Sequence, residues 1–174
     1  VNPDNFPIIR KAFEKLGVKV KVNGHTVTVP ENQNIKVKQP FTSNMLPKIE
    51  GAPWPYFPVD LLPLMIALAT QAEGQIMFWN KVYEAGFFWI QEMNKFGAHI
   101  VMCDPHRVIV FGNKPLEAAE VEAPNIIRAT VALTMMGLSI PGKTVVRNAD
   151  SIKRAHPDFV KKIKSLGADI SWSN

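Results

Sequence analysis

The sequence predicts an α/β domain whose apolar helices lie inside and whose sheets face solvent. Two observations carry that reading. An amphipathic helix closed by glycine and followed by a strand recurs three times along the chain. Ahead of the later copies stand helical stretches that are apolar around most of their girth, and such helices must be covered by sheets packed on their outside.

The recurring phrase reads Ala12-Phe13-Glu14-Lys15-Leu16-Gly17-Val18-Lys19-Val20, then Glu92-Met93-Asn94-Lys95-Phe96-Gly97-Ala98-His99-Ile100, then Lys162-Ile163-Lys164-Ser165-Leu166-Gly167-Ala168-Asp169-Ile170. Glycine stands where a left-handed C-cap is needed, and lysine in the last turn complements the helix dipole. The residues that follow alternate apolar and polar, as half-buried strands do. The first copy continues into a hairpin, with 18–22 turning through Asn23-Gly24 into 25–29. The second does likewise, with 98–103 turning through Asp104-Pro105-His106 into 107–111. In front of the later copies, an apolar helix over 59–73 ends at Gly74 and leads to a strand over 75–81. Its counterpart over 125–139 ends at Pro141-Gly142 and leads to 144–148. The full unit therefore runs strand, helix, strand, helix, strand, strand. The chain reads as one incomplete domain over 1–174, with units at about 1–34, 35–113 and 114–174. The first unit lacks its front half and the third stops before its last strand.

Composition narrows the class. A chain of 174 residues, 47% hydrophobic and 20% charged, suits one domain with a substantial core. The net charge of +5 favours an anionic partner such as a phosphorylated metabolite. Like charges are scattered rather than blocked, so no nucleic-acid tail is indicated. The lone Cys103 excludes an intrachain disulfide and suits a reducing compartment. The opening Val1-Asn2-Pro3-Asp4 shows no signal-peptide pattern, and the apolar run over 61–69 is too short to cross a bilayer. A soluble, cytoplasmic protein is expected.

Three residues stand out for chemistry. Asp60 follows the rigid stretch Trp54-Pro55-Tyr56-Phe57-Pro58-Val59 and falls in the first turn of an apolar helix, beside unsatisfied backbone donors. It either caps that helix or serves as a functional carboxylate. Arg128 lies in the first turns of the apolar stretch Asn125-Ile126-Ile127-Arg128-Ala129-Thr130-Val131, and Arg154 opens the next helix. An arginine on an apolar surface must find an anion or a carboxylate, since its charge cannot be neutralised. Both arginines could instead form surface salt bridges.

In order and spacing, Phe57-Pro58-Val59-Asp60, Ala72-Glu73-Gly74, Val82-Tyr83-Glu84, Phe96-Gly97-Ala98-His99, Ile127-Arg128-Ala129 and Arg154 resemble the enolpyruvyl transferase family, in its sugar-nucleotide branch. The resemblance runs from about Asp4 to Trp172 and implies an inside-out α/β barrel domain, one of two that flank an active-site cleft. It also implies transfer of the enolpyruvyl group of phosphoenolpyruvate to the 3-hydroxyl of UDP-N-acetylglucosamine, with release of phosphate, in peptidoglycan precursor synthesis. By that resemblance Asp60 is general base and sugar ligand, Val82 contacts the sugar nucleotide, and Arg128 and Arg154 grip phosphoenolpyruvate. Neither metal nor cofactor is implied. The general acid would belong to a second domain absent from this chain, which alone would be inactive and could dimerise through an exposed sheet edge.

Two departures are visible. Gly86 stands where the family carries an arginine, and Ile126 where it carries an aspartate, with Asn125 the nearest polar residue. A catalytically inactive relative is therefore one alternative. Another is a basic RNA-binding module of similar repeat fold, against which the strands offer no aromatic stacking pair. Cys103, at a strand end before a turn, reads as structural. His99 and His106 lack metal-ligand spacing to one another or to Cys103.

Overall fold

The computed structural model describes residues 6–41 and 44–173; the opening Val1-Asn2-Pro3-Asp4 lies outside them. Helix α1 (Pro7–Lys15) carries proline in its first turn, where a missing N–H costs no hydrogen bond. Gly17, at φ +84°, closes it. An antiparallel hairpin follows, of β1 (Lys21–Asn23) and β2 (Thr26–Thr28). Asn23 pairs with Thr26, so the turn is Gly24-His25, one residue later than the sequence suggested. Gly24, at φ +55°, takes the first loop position, where a positive φ is needed.

Next come β3 (Lys48–Ala52), the two-residue β4 (Phe57–Pro58), a 3-10 turn over Val59–Leu61, α2 (Leu62–Ala69) and β5 (Gln75–Asn80). The apolar helix is thus shorter than the expected 59–73. Pro63 explains its start, because a proline ring deeper inside an α-helix would clash with the carbonyl four residues back. Then follow α3 (Ile90–Asn94), the hairpin of β6 (His99–Asp104) and β7 (Arg107–Phe111), and β8 (Glu120–Glu122). The chain ends with α4 (Ile127–Leu138), β9 (Val145–Arg147), a 3-10 segment over Ala149–Arg154 and α5 (Phe159–Ser165). Gly97 and Gly167 repeat the left-handed cap of Gly17, at φ +84° and +95°. Beyond Gly167, residues 168–173 form no strand, against expectation. An alternating pattern makes a strand only where a ladder partner lies alongside, and none does among the described residues.

The central sheet has the order β4-β3-β5-β7-β6. Its inner face is a layer of buried apolar side chains in register: Ile49 opposite Phe78, Phe78 opposite Val108, and Ile76 and Ile100 both opposite Val110. Against this layer lies α2, and α4 packs in turn on α2, on β9 and on the segment Ala149–Arg154. In α2, Leu62, Met65, Ile66, Ala67 and Ala69 are buried; in α4, Ala129, Ala132, Leu133 and Met136 are. The apolar helices are therefore interior and the sheet is outside them. By contrast α5 buries no residue. The sheet's outer face is charged. Lys48 and Lys81 reach Glu50 at 2.6 and 2.7 Å, hold its carboxyl below the usual carboxylate range, and flank the Trp79 ring.

Candidate functional site

The two interior helices begin side by side, and the residues singled out by the sequence gather there. Asp60 lies in the 3-10 turn leading into α2 and Arg128 in the first turn of α4. Arg128 Nε stands 3.1 Å from Asp60 Oδ1, with the side chains 38% and 54% exposed. Neither helix start shows a side-chain capping hydrogen bond. The carboxylate is thus committed to the arginine, not to the helix end.

Arg128 has a second neighbour, to which the sequence reading gave no role. The Tyr83 ring centroid is 5.6 Å from Arg128 Cζ, within the range of a cation–π contact. Tyr83 and Val82 sit on the loop after β5, and Asn80 sets its shape. The Asn80 side chain is buried, and its Oδ1 accepts the backbone N–H groups of Val82 and Tyr83, each at 3.0 Å. Its amide nitrogen fills the space where a Cβ on Gly86 would stand. That contact explains why Gly86 carries no side chain in this loop. Val82 is 40% exposed, at the outer end of β5. The available signal for Asn80 was an asparagine at a strand end, a common seat for a side chain that mimics a backbone turn.

Arg154 arrives by a different route. Within the segment Ala149–Arg154, Ser151 and Ile152 are buried. Ser151 Oγ is 2.9 Å from Thr130 Oγ1 of α4, which also lies 3.0 and 2.9 Å from the carbonyl oxygens of Pro124 and Ile126. This anchoring brings Arg154 Nη2 to Asn125, at 3.1 Å from Oδ1 and 3.3 Å from the backbone oxygen. Arg154 therefore borders the start of α4, and among the described residues it has no acidic hydrogen-bond or ion-pair partner. Lys153 beside it turns instead to Asp150, at 2.6 Å. Ile126, with extended backbone at the N-cap of α4, has an apolar side chain and so brings no carboxylate to this position.

The remaining reactive side chains lie elsewhere. Cys103 is exposed on β6, and His99 stacks on Phe111 at 4.6 Å on the same sheet. Among the described residues no cluster of His, Cys, Asp or Glu has the geometry to hold a metal ion. No helix among them is long and apolar enough to cross a membrane.

A carboxylate, an aromatic-backed arginine and a second arginine at the mouths of adjacent helices form an arrangement suited to an anionic substrate with an ionisable hydroxyl nearby. Comparison with known proteins gives it a context. Residues 4–163 match the family described as EPSP synthase (3-phosphoshikimate 1-carboxyvinyltransferase). The chain belongs to that family. It is 38% identical, over 93% of its length, to a UDP-N-acetylglucosamine 1-carboxyvinyltransferase of Bradyrhizobium diazoefficiens, covering 37% of that protein. It is 36% identical, over 98% of its length, to the protein of the same name in Treponema denticola, covering 39% of it. The chain therefore spans well under half the length of these curated relatives. Among solved structures, the enolpyruvyl transferase NikO of Streptomyces tendae superposes with a TM-score of 0.74 at 27% identity, over 92% of this chain and 35% of that one. The EPSP synthase of Acinetobacter baumannii gives 0.71 at 14% identity, over 100% and 41%, and so shares the fold. Both likenesses agree with the inside-out arrangement of α2, α4 and the central sheet.

Proposed function

We propose that this chain is one domain of an enolpyruvyl transferase that moves the enolpyruvyl group of phosphoenolpyruvate to the 3-hydroxyl of UDP-N-acetylglucosamine, releasing phosphate, in peptidoglycan precursor synthesis. The observation that carries this reading is the Asp60–Arg128 pair at the adjacent starts of α2 and α4. The names of the relatives at 36–38% identity support the choice of sugar nucleotide. In this reading Asp60 takes the proton of the attacking hydroxyl, whose oxygen then bonds to C2 of phosphoenolpyruvate. A proton from an acid outside this chain goes to C3, giving a tetrahedral intermediate. Loss of a proton from C3 and cleavage of the C2–O bond to phosphate restore the double bond and release phosphate. Arg128 and Arg154 hold the phosphate and carboxylate by their planar forks. Val82 contributes the backbone of its loop to the sugar side.

The domain would comprise three repeat units, at about 1–34, 35–113 and 114–174, with the first incomplete. Its partner is a second domain that closes the cleft, and the reading places the enzyme in the cytoplasm. In this reading the chain can also self-associate through an exposed sheet edge.

A chimera tests the function: the matching segment of the Bradyrhizobium relative is replaced by this chain, and phosphate release from phosphoenolpyruvate is measured. Release that depends on UDP-N-acetylglucosamine supports the reading. A chimera that melts cooperatively yet releases phosphate only with shikimate 3-phosphate, or with neither acceptor, contradicts it.

A further inference from the structure

We infer that Tyr83 is a positioning residue for Arg128, holding the guanidinium so that its outer edge faces an incoming phosphate or carboxylate; the inference rests on the anion-binding role proposed for Arg128. Arginine has five donors in a rigid plane, and its value to an anion depends on where that plane points. In this chain the plane is fixed from two directions. Asp60 engages Nε at 3.1 Å, and the Tyr83 ring lies 5.6 Å from Cζ. A side chain 38% exposed would otherwise sample many rotamers, and ordering it at the moment of binding would weaken the complex.

The loop carrying Tyr83 is built to keep the ring in place. Asn80, 4% exposed at the end of β5, accepts both the Val82 and Tyr83 N–H groups. Gly86 admits the Asn80 amide, and the Gly86 carbonyl accepts the indole N–H of Trp89 at 2.9 Å. Trp89 is itself 2% exposed, so the far end of the loop is tied to the core. Between these anchors Ala85 takes a left-handed φ of 49°, a conformation a non-glycine residue keeps only where its surroundings enforce it. A buried asparagine, a glycine without room for a side chain and a left-handed alanine thus converge on one exposed ring. The ring's described ionic neighbour is Arg128.

The test uses the 174-residue chain with inorganic phosphate and phosphoenolpyruvate as probes, titrated while the Arg128 Nε–Hε signal is followed by NMR. Tyr83→Leu is expected to weaken binding roughly threefold to fivefold, the scale of an exposed cation–π contact, and to shift the Hε signal as the ring current is lost. Tyr83→Phe keeps the ring and should keep both the affinity and the Hε position. The melting temperature of both variants should stay near that of the native chain. An unmoved Hε signal in Tyr83→Leu refutes the contact. A moved signal with unchanged affinity refutes the positioning role while leaving Arg128 as an anion ligand. Affinity equal in native and Arg128→Ala chains, or absent from both, refutes the anion-binding reading and this inference with it.

Discussion

Removing the Asp60–Arg128 pair should cost little stability, and the structure says how little. The side chains are 54% and 38% exposed, and neither makes a capping bond. Exposed ion pairs of this kind contribute about 0.2–1 kcal/mol, because water screens the charges and two flexible side chains must be ordered. A double-mutant cycle of Asp60→Ala, Arg128→Ala and both together should therefore give a coupling energy of about 0.2–1 kcal/mol. For a chain of this size that corresponds to a melting shift of about 4 °C or less. Arg128→Ala also gives up the Tyr83 contact, but this loss falls equally on the single and double variants and leaves the cycle. Urea unfolding followed by tryptophan fluorescence reads the free energies, and 1 M salt should shrink the coupling further. A coupling above about 2 kcal/mol would mean that the pair is a structural element, and the functional reasoning would fail.

Arg128→Lys and Arg154→Lys keep the charge but lose the fork, so in the active chimera each should raise the apparent KM for phosphoenolpyruvate far more than that for the sugar nucleotide; equal effects on both would count against the clamp. Gly86→Ala should destabilise by about 1–3 kcal/mol, since its Cβ must displace the buried Asn80 amide; denaturant unfolding checks this. Lys48 and Lys81 depress the Glu50 carboxyl, so the stability it contributes is present above its unfolded value of about 4.3 and is lost as pH falls through its lower folded value. The stability gap between the native chain and Glu50→Gln should accordingly be largest near neutral pH and narrow in acid, closing only below the depressed folded value. The isolated chain should unfold cooperatively yet release no phosphate from phosphoenolpyruvate when UDP-N-acetylglucosamine is added, which a phosphate assay can contradict directly.

Much of the fold was legible because its signals are local. Gly17, Gly97 and Gly167 mark helix ends through a backbone conformation that other residues avoid, and all three adopt it. The all-round apolar character of 61–69 and 126–138 foretold two enclosed helices, because no other packing would hide them from water. Boundaries were harder to read. Pro63 moves the start of α2, and 168–173 alternates without gaining a strand partner among the described residues, since strand pairing is a property of the neighbour as much as of the segment. The short strands β3, β4 and β8 were not resolved individually, having too few residues for a period to show. At the site, Asp60 and Arg128 could be picked out as charged residues at helix starts, whereas Arg154, expected to open a helix, instead ends the 3-10 segment Ala149–Arg154, ahead of α5. Their partners could not. That Asp60 meets Arg128, that Arg154 meets Asn125, and that Asn80 shapes the loop carrying Tyr83 all depend on α2 and α4 beginning, and β5 ending, at the same side of the molecule.

The claim that Asp60 works in chemistry and not in folding is tested most directly by Asp60→Asn in the active chimera, with turnover and melting temperature measured on the same sample. Asparagine keeps the shape and loses the basicity. Turnover should fall by roughly 100-fold or more, the scale of a lost general base, while the melting temperature moves by no more than a few degrees. Near-native turnover by the Asp60→Asn chimera would contradict the assignment.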